Sequence, residues 1–236
     1  MEPKRKIVIA VDGHSSCGKS TVAKAIAKEI GIAYIDTGAM YRATTLYAMR
    51  HGLYGPDGEP DETRIGESLD DIKIGFEYDR EKSRNTTMLN GEDVEDEIRG
   101  LEVSQRVSPV SAIASVRAKL TDWQREMGRE TSVIMDGRDI GTSVFPDADL
   151  KIFMTARDEV RAQRRYDEMK SKGENPDFAE VLANVRERDR IDSTRAVSPL
   201  RKADDAVVLD NSDMTREEQY DFIMRLLQER DLLKED

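Results

Sequence analysis

The sequence predicts an α/β fold in which a five-stranded parallel sheet carries helices on both faces, interrupted by a small inserted antiparallel β subdomain. Three observations carry this. Five short apolar runs, "KIVIAV", "IAYID", "SVIMD", "LKIFMTA" and "AVVLD", are rich in β-branched residues, as strands buried on both faces are. Each lies beside a helical segment, and strands alternating with helices make a parallel sheet. Between the second and third runs, "IKIGFEY" alternates and Asn90-Gly91 joins two strand-like arms, which is the pattern of an antiparallel hairpin.

Taken in order, Lys6 to Val11 is the first strand, and Lys19 to Ile30 is a helix with apolar positions at Val22, Ile26 and Ile30. Gly31 stands where a C-terminal cap is expected. Ile32 to Asp36 is the second strand, and "AMYRATTLYAMRHG" is a helix ending at Gly52. The acidic, turn-rich "GPDGEPDE" then opens the insertion. This divides the chain into a core of residues 1–52 and 105–236 and an insertion of residues 53–104. From Thr215 on, an amphipathic helix is expected to dock through Ile223, Leu226 and Leu227.

The chain has 236 residues, 38% hydrophobic and 36% charged, with a net charge of −11. That excess of negative charge argues against a nucleic-acid polymer as partner, though a small anion still responds to local charge. Cys17 is the single cysteine, so no intrachain disulfide forms and a reducing compartment is expected. No run of 18 apolar residues occurs and the N-terminus lacks a signal-peptide cleavage pattern. The expectation is a soluble, cytoplasmic protein that binds no membrane. With no heptad seam, it is expected to be a monomer.

"VDGHSSCGKST", Val11 to Thr21, places Gly13, four residues, then Gly18-Lys19-Ser20 between a strand and a helix. Glycines let such a backbone turn tightly and point N–H groups at phosphate oxygens, and the helix N-terminus adds positive potential. Lys19 then reaches the β- and γ-phosphates of a nucleoside triphosphate, and the Ser20 hydroxyl ligates Mg²⁺. Cys17 lies near a helix N-terminus, where a thiol can be activated, but a passive small residue is the plainer reading. His14 reads as a side chain packed over the loop.

A phosphate loop serves switches as well as kinases. A guanine-nucleotide switch normally carries Asn-Lys-x-Asp, which does not occur here. A kinase for a small anionic acceptor needs several arginines to hold it and to neutralise charge during transfer. Arg157, Arg161, Arg164 and Arg165 share one helix face, as do Arg188, Asp192 and Arg195. Arg42 and Arg138 follow strand ends, where open α/β sheets bind ligands. Asp36 and Asp136, also at strand ends, are candidates to order Mg²⁺ waters or the arginines. A kinase for another monophosphate such as UMP, or a nucleotide-dependent regulatory module with no acceptor, remains an alternative at this point.

Four stretches, "GHSSCGKST", "DTGAMYR", "DGRDIGTSVFPDADLKIFMTA" and "ERDRIDSTRAVSPL", resemble the motifs of the bacterial cytidylate kinases in order and spacing. The resemblance implies a P-loop kinase core, a nucleoside-monophosphate-binding insertion, and an arginine-rich helical lid at about residues 157–176. It implies transfer of the γ-phosphoryl of ATP to CMP or dCMP with Mg²⁺. By motif, Gly13, His14, Ser15, Ser16, Cys17, Gly18, Lys19, Ser20 and Thr21 would hold ATP. Arg42, Arg138 and Arg195 would grip the acceptor phosphate, with Thr37 and Tyr41 lining its site. Ser108, Arg117 and Asp139 would read cytosine, and Arg188 and Asp192 would hold the sugar. Lys19, Arg138 and the lid residues Arg161, Arg164 and Arg165 would act on the transferring group.

Overall fold

The computed structural model describes residues 2–79 and 84–234. By internal contacts the chain forms two units, Met1–Asp36 with Gln124–Asp236, and Thr37–Trp123.

The first unit is built on a five-stranded parallel sheet of β1 (Val8–Gly13), β2 (Ala33–Asp36), β6 (Val133–Gly137), β7 (Leu150–Thr155) and β8 (Val207–Asp210), in the order β2-β6-β1-β7-β8. All five expected strands are present. β1 is central and β6 is buried along its whole length, which is why both read as unbroken apolar runs. The chain leaves β1 toward β2 on one side, while β7 and β8 continue on the other. Strand order therefore reverses at β1, and ligands of open α/β sheets bind at the carboxyl ends of the strands beside such a point.

Helix α1 (Lys19–Ile30) packs Val22, Ile26 and Ile30 onto this sheet, together with Ile223 and Leu227 of α8 (Arg216–Glu229). Gly31 ends α1 in the left-handed conformation, φ 67°, and its N–H donates to Ala27 O. Thr215 starts α8 with a capping box, its Oγ1 accepting from Glu218 N at 3.2 Å while Glu218 accepts from Thr215 N at 2.7 Å. α6 (Asp158–Ser171) and α7 (Phe178–Thr194) pack on each other through Ala162, Met169, Val181 and Val185.

The second unit holds α2 (Thr37–Arg50), α3 (Glu62–Glu67) and an antiparallel sheet of β3 (Ile74–Asp79), β4 (Arg84–Leu89) and β5 (Glu92–Asp93). α4 (Leu101–Ala112) follows. α5 (Ala114–Glu130) begins in this unit and ends beyond Trp123. Asn90 and Gly91 turn β4 into β5 with φ of 51° and 86°. Positive φ at both positions is what a two-residue hairpin of matching twist requires. Residues 80–83 of the expected insertion lie outside the described residues. Among the described residues, no helix is long and apolar enough to cross a membrane.

Candidate functional site

The phosphate loop leaves β1 at Gly13 and enters α1 at Lys19, with positive φ at Gly13, Ser16 and Gly18. Lys19 is buried, and its ammonium donates to Gly13 O at 2.9 Å and His14 O at 2.6 Å. Burial lowers its pKa to about 8, and the nearby Arg138 pushes the same way. The His14 ring stands edge-on to Phe153, with Nδ1 3.4 Å from Asp189. Cys17 is fully buried in the core, so it is a packing residue.

Beside the loop, the Ser20 hydroxyl donates to Asp136 Oδ2 and the Tyr34 hydroxyl to Oδ1, both at 2.8 Å. Asp36 and Asp136 are register partners on β2 and β6. Burial, followed by repulsion from Asp36, raises the Asp136 pKa above the ordinary carboxylate value. Two carboxylates and a hydroxyl are hard oxygen donors, and a cation would relieve their repulsion. Among the described residues no cluster of three His, Cys, Asp or Glu is arranged to hold a metal alone. Mg²⁺, which usually takes one or two protein ligands and completes its shell with phosphate and water, suits this arrangement.

The first unit also gathers Arg138, Asp139, Arg188, Asp192 and Arg195. Arg138 Nε donates to Asp192 Oδ2 at 2.7 Å. The Arg195 guanidinium lies 3.7 Å from both Asp139 and Asp192 and donates to Ser198 O at 2.7 and 2.9 Å. Arg188 is held near these groups with its Nε lacking an acceptor. Burial, then repulsion from Arg138, lowers its pKa to about 10.

Arg157, which precedes α6, and the arginines of α6 do not share one environment. Arg157 is exposed and paired with Asp213 at 2.6 Å. Arg161 is 2% exposed; it donates to Ala156 O and Ser15 O, at 2.9 and 3.3 Å, and pairs with Asp189 at 2.6 Å. Arg164 donates to Asn211, and Arg165 pairs with Glu168 at 3.1 Å. Arg164 and Arg165 line a cavity of about 630 Å³ that also touches Gly18, Thr21, Thr215 and Tyr220.

In the second unit, Thr37, Tyr41, Ser108 and Arg117 are all buried. The Arg117 guanidinium stacks over the Tyr41 ring at 5.3 Å and donates to Ser111 O at 3.1 Å. Arg42 donates to Ile98 O at 3.2 Å.

Asp12 was not among the expected site residues. Its buried carboxylate accepts from Ile140 N and Gly141 N, each at 2.7 Å, and so holds the turn that follows Asp139. An acid at the end of a buried strand was the available signal. Burial raises its pKa to about 6, against the two N–H bonds that favour the charge. A raised carboxylate pKa means that protonation stabilises the fold. The contribution is complete below the ordinary value near 4 and is lost as pH rises through 6. Urea unfolding should therefore show a gain of about 1 kcal/mol between pH 7.5 and pH 5 from this group alone. Asp12→Asn should flatten that slope; an unchanged slope would count against the assignment.

Residues 9–229 match the model of the cytidylate kinase family. Over 220 residues the chain is 56% identical to "Cytidylate kinase" of Bacteroides fragilis, covering 93% of this chain and 96% of that protein. It is 58% identical over 221 residues to "Cytidylate kinase" of Parabacteroides distasonis, covering 93% and 96%. A crystal structure of an uncharacterised protein from Eubacterium ventriosum shares the fold at TM-score 0.50 and 11% identity, covering 95% of this chain and 99% of that one. The phosphate loop, the buried cations beyond it and these matches lead to one assignment: the chain belongs to the cytidylate kinase family.

Proposed function

We propose that the protein transfers the γ-phosphoryl of ATP to CMP or dCMP, giving ADP and CDP or dCDP. Beyond family membership, one observation supports an acceptor in particular. Burial and repulsion from Arg138 shift both Lys19 and Arg188 toward neutrality. A triphosphate on the loop accounts for Lys19, whereas Arg188 with its unpaired Nε calls for a second anion. A regulatory module that only hydrolyses its nucleotide has no use for one.

In this reading the loop from Gly13 to Thr21 holds the triphosphate, and the cavity bordered by Arg164 and Arg165 takes the adenosine end. A volume of about 630 Å³ is in the range of small-molecule sites. Ser20, with Asp136 and Asp36, would hold Mg²⁺, which when bound offsets charge on the phosphate oxygens. Arg42, Arg138 and Arg195 take the acceptor phosphate, Arg188 and Asp192 the sugar, and Thr37 and Tyr41 line the site. The protein supplies positioning and charge and no dedicated base, because the transferring group passes through a loose transition state. The lid is assigned to about residues 157–176, whose Arg157, Arg161 and Arg164 pair with Asp213, Asp189 and Asn211 in this structure. Reducing, cytoplasmic surroundings suit the one buried thiol.

Ser108, Arg117 and Asp139 are assigned to cytosine. The base presents an amine donor beside acceptors, so an acid and an arginine match it. UMP offers a carbonyl in place of the amine and would face Asp139 with an unpaired acceptor. Such a mismatch costs about 1–3 kcal/mol, more with a charge, so kcat/KM should favour CMP by roughly ten- to several-hundredfold. The measurement is ADP release with ATP-Mg²⁺ and each monophosphate in turn, for wild type, Asp139→Asn and Arg117→Ala. Indifference of the wild type to every acceptor would remove the kinase reading. A wild-type CMP/UMP ratio in both variants would remove the base-reading roles alone.

A further inference from the structure

The turn after β8 carries a side chain that neither the phosphate loop nor the arginine stripe explains. Asn211 is fully buried, and its backbone N–H donates to Thr155 O at 2.9 Å at the end of β7. Its side-chain amide uses both hydrogens, donating to Cys17 O at 2.6 Å and to Gln219 Oε1 at 2.8 Å. Its Oδ1 accepts from Arg164 Nη1 at 3.0 Å, and its backbone carbonyl accepts from Arg164 Nη2 at 2.9 Å. Arg164 Nη1 also lies 3.5 Å from Cys17 O, closing the triangle. Gln219, on α8, is anchored in turn by donating to Met214 O and Thr215 O at 3.3 and 3.1 Å. One amide thus joins the phosphate loop, α6 and α8.

The chemistry of the residue is specific to this task. A carboxylate has no hydrogen for Cys17 O or Gln219 Oε1, and a hydroxyl has only one. The Asn211 nitrogen also lies 4.0 Å from where a Cβ on Gly18 would stand, so it supports the loop at the peptide leading into Gly18 and Lys19. We propose that Asn211 is a positioning residue for ATP: it sets the Cys17 peptide and the Arg164 guanidinium as one hydrogen-bonded unit. Phosphate oxygens then meet loop and arginine in a fixed arrangement, with no ordering left for the moment of transfer. The inference rests on the kinase reading above and deepens it.

The test compares wild type with Asn211→Asp, Asn211→Ser and Arg164→Met. Asn211→Asp keeps the acceptor for Arg164 but turns an oxygen toward Cys17 O. It should weaken binding of a fluorescent ATP analogue by about ten- to a hundredfold, raise KM for ATP in step, and leave KM for CMP near the wild-type value. Asn211→Ser, should the aspartate variant fail to fold, is expected to show the same split with a smaller loss. Arg164→Met combined with either variant should cost less than the sum of the separate effects, since residues acting as one unit are not additive. A purely structural role predicts a lower melting temperature with unchanged analogue affinity in the folded protein. That result, equal losses for ATP and CMP, or additive effects would each overturn the proposal. Wild-type protein that binds the analogue yet phosphorylates no monophosphate would instead overturn the kinase reading, leaving the affinity comparison to judge Asn211.

Discussion

Replacing Lys19 with alanine is expected to lower kcat by about two to three orders of magnitude, the scale of losing one preorganised charge donor at a transferring group. The ammonium is buried and already directed by Gly13 O and His14 O, so little ordering remains when phosphates arrive. Because burial places its pKa near 8, the cation is present at neutral pH and is lost as pH rises through that value. Bound phosphates favour the cation and should move the midpoint upward. The alkaline limb of kcat/KM for ATP, which reports the free enzyme, should therefore fall with a midpoint near 8, while that of kcat lies higher. Turnover at saturating ATP, with circular dichroism to establish folding, decides the first point. Near-normal turnover in Lys19→Ala would show that Lys19 does not act on the transferring phosphoryl group.

Gly13→Ala should cause the largest loss of stability in the loop. A Cβ there would lie 2.0 Å from Met154 O and 2.9 Å from Met154 C, with φ at 149°. Gly13 and Met154 are paired across β1 and β7, so the atoms in the way are backbone and cannot rotate aside. The central strands must separate or the loop must leave its position, at a cost of about 3 kcal/mol or more. Gly18 provides the comparison. It has a positive φ of 86° but its nearest neighbour is 4.0 Å away, so Gly18→Ala should cost only about 1–2 kcal/mol of conformational strain. Urea midpoints of the two variants measure the difference. Equal losses would mean that Gly13 is needed for its φ alone.

How much could be read beforehand depended on how local the cause was. The strand, glycine loop and helix from Lys6 to Gly31, the Asn90-Gly91 hairpin and the Thr215 helix are each specified by neighbours within a few residues. The inner strands declared themselves because a doubly buried strand must be apolar throughout; the edge strands β2 and β8 are partly exposed and showed as short apolar, β-branched runs. α4 was harder to see. Pro109 lies inside it, and proline ordinarily ends a helix because it removes a donor and crowds the preceding turn. The arginine stripe of α6 showed which residues share a face but not what that face meets. Arg161 turns out to be bound to Ser15 O in the loop and Arg164 to Asn211 after β8, while Arg157 stays at the surface. Asp12 and Asn211 were least visible. Each is a single polar residue at a strand end, and its partners lie 128 and 194 positions away in the chain. No periodicity marks such a residue; the register of β1 with β6 brings Asp12 to its place, and that of β8 with β7 and β7 with β1 brings Asn211 to its own.

The burial of Cys17 turns the chain's one thiol into a clock. A thiol near a helix N-terminus is ordinarily judged by how readily it ionises, but with no surface exposed that readiness is never put to use in the closed protein. An alkylating reagent must wait for the structure over the sulfur to part, and it then competes with reclosure. With a reagent fast enough to outpace reclosure, accumulated label records how often the phosphate loop opens; with a slower one it records the fraction of time the loop is open. A ligand seated on the loop slows the record without touching the sulfur.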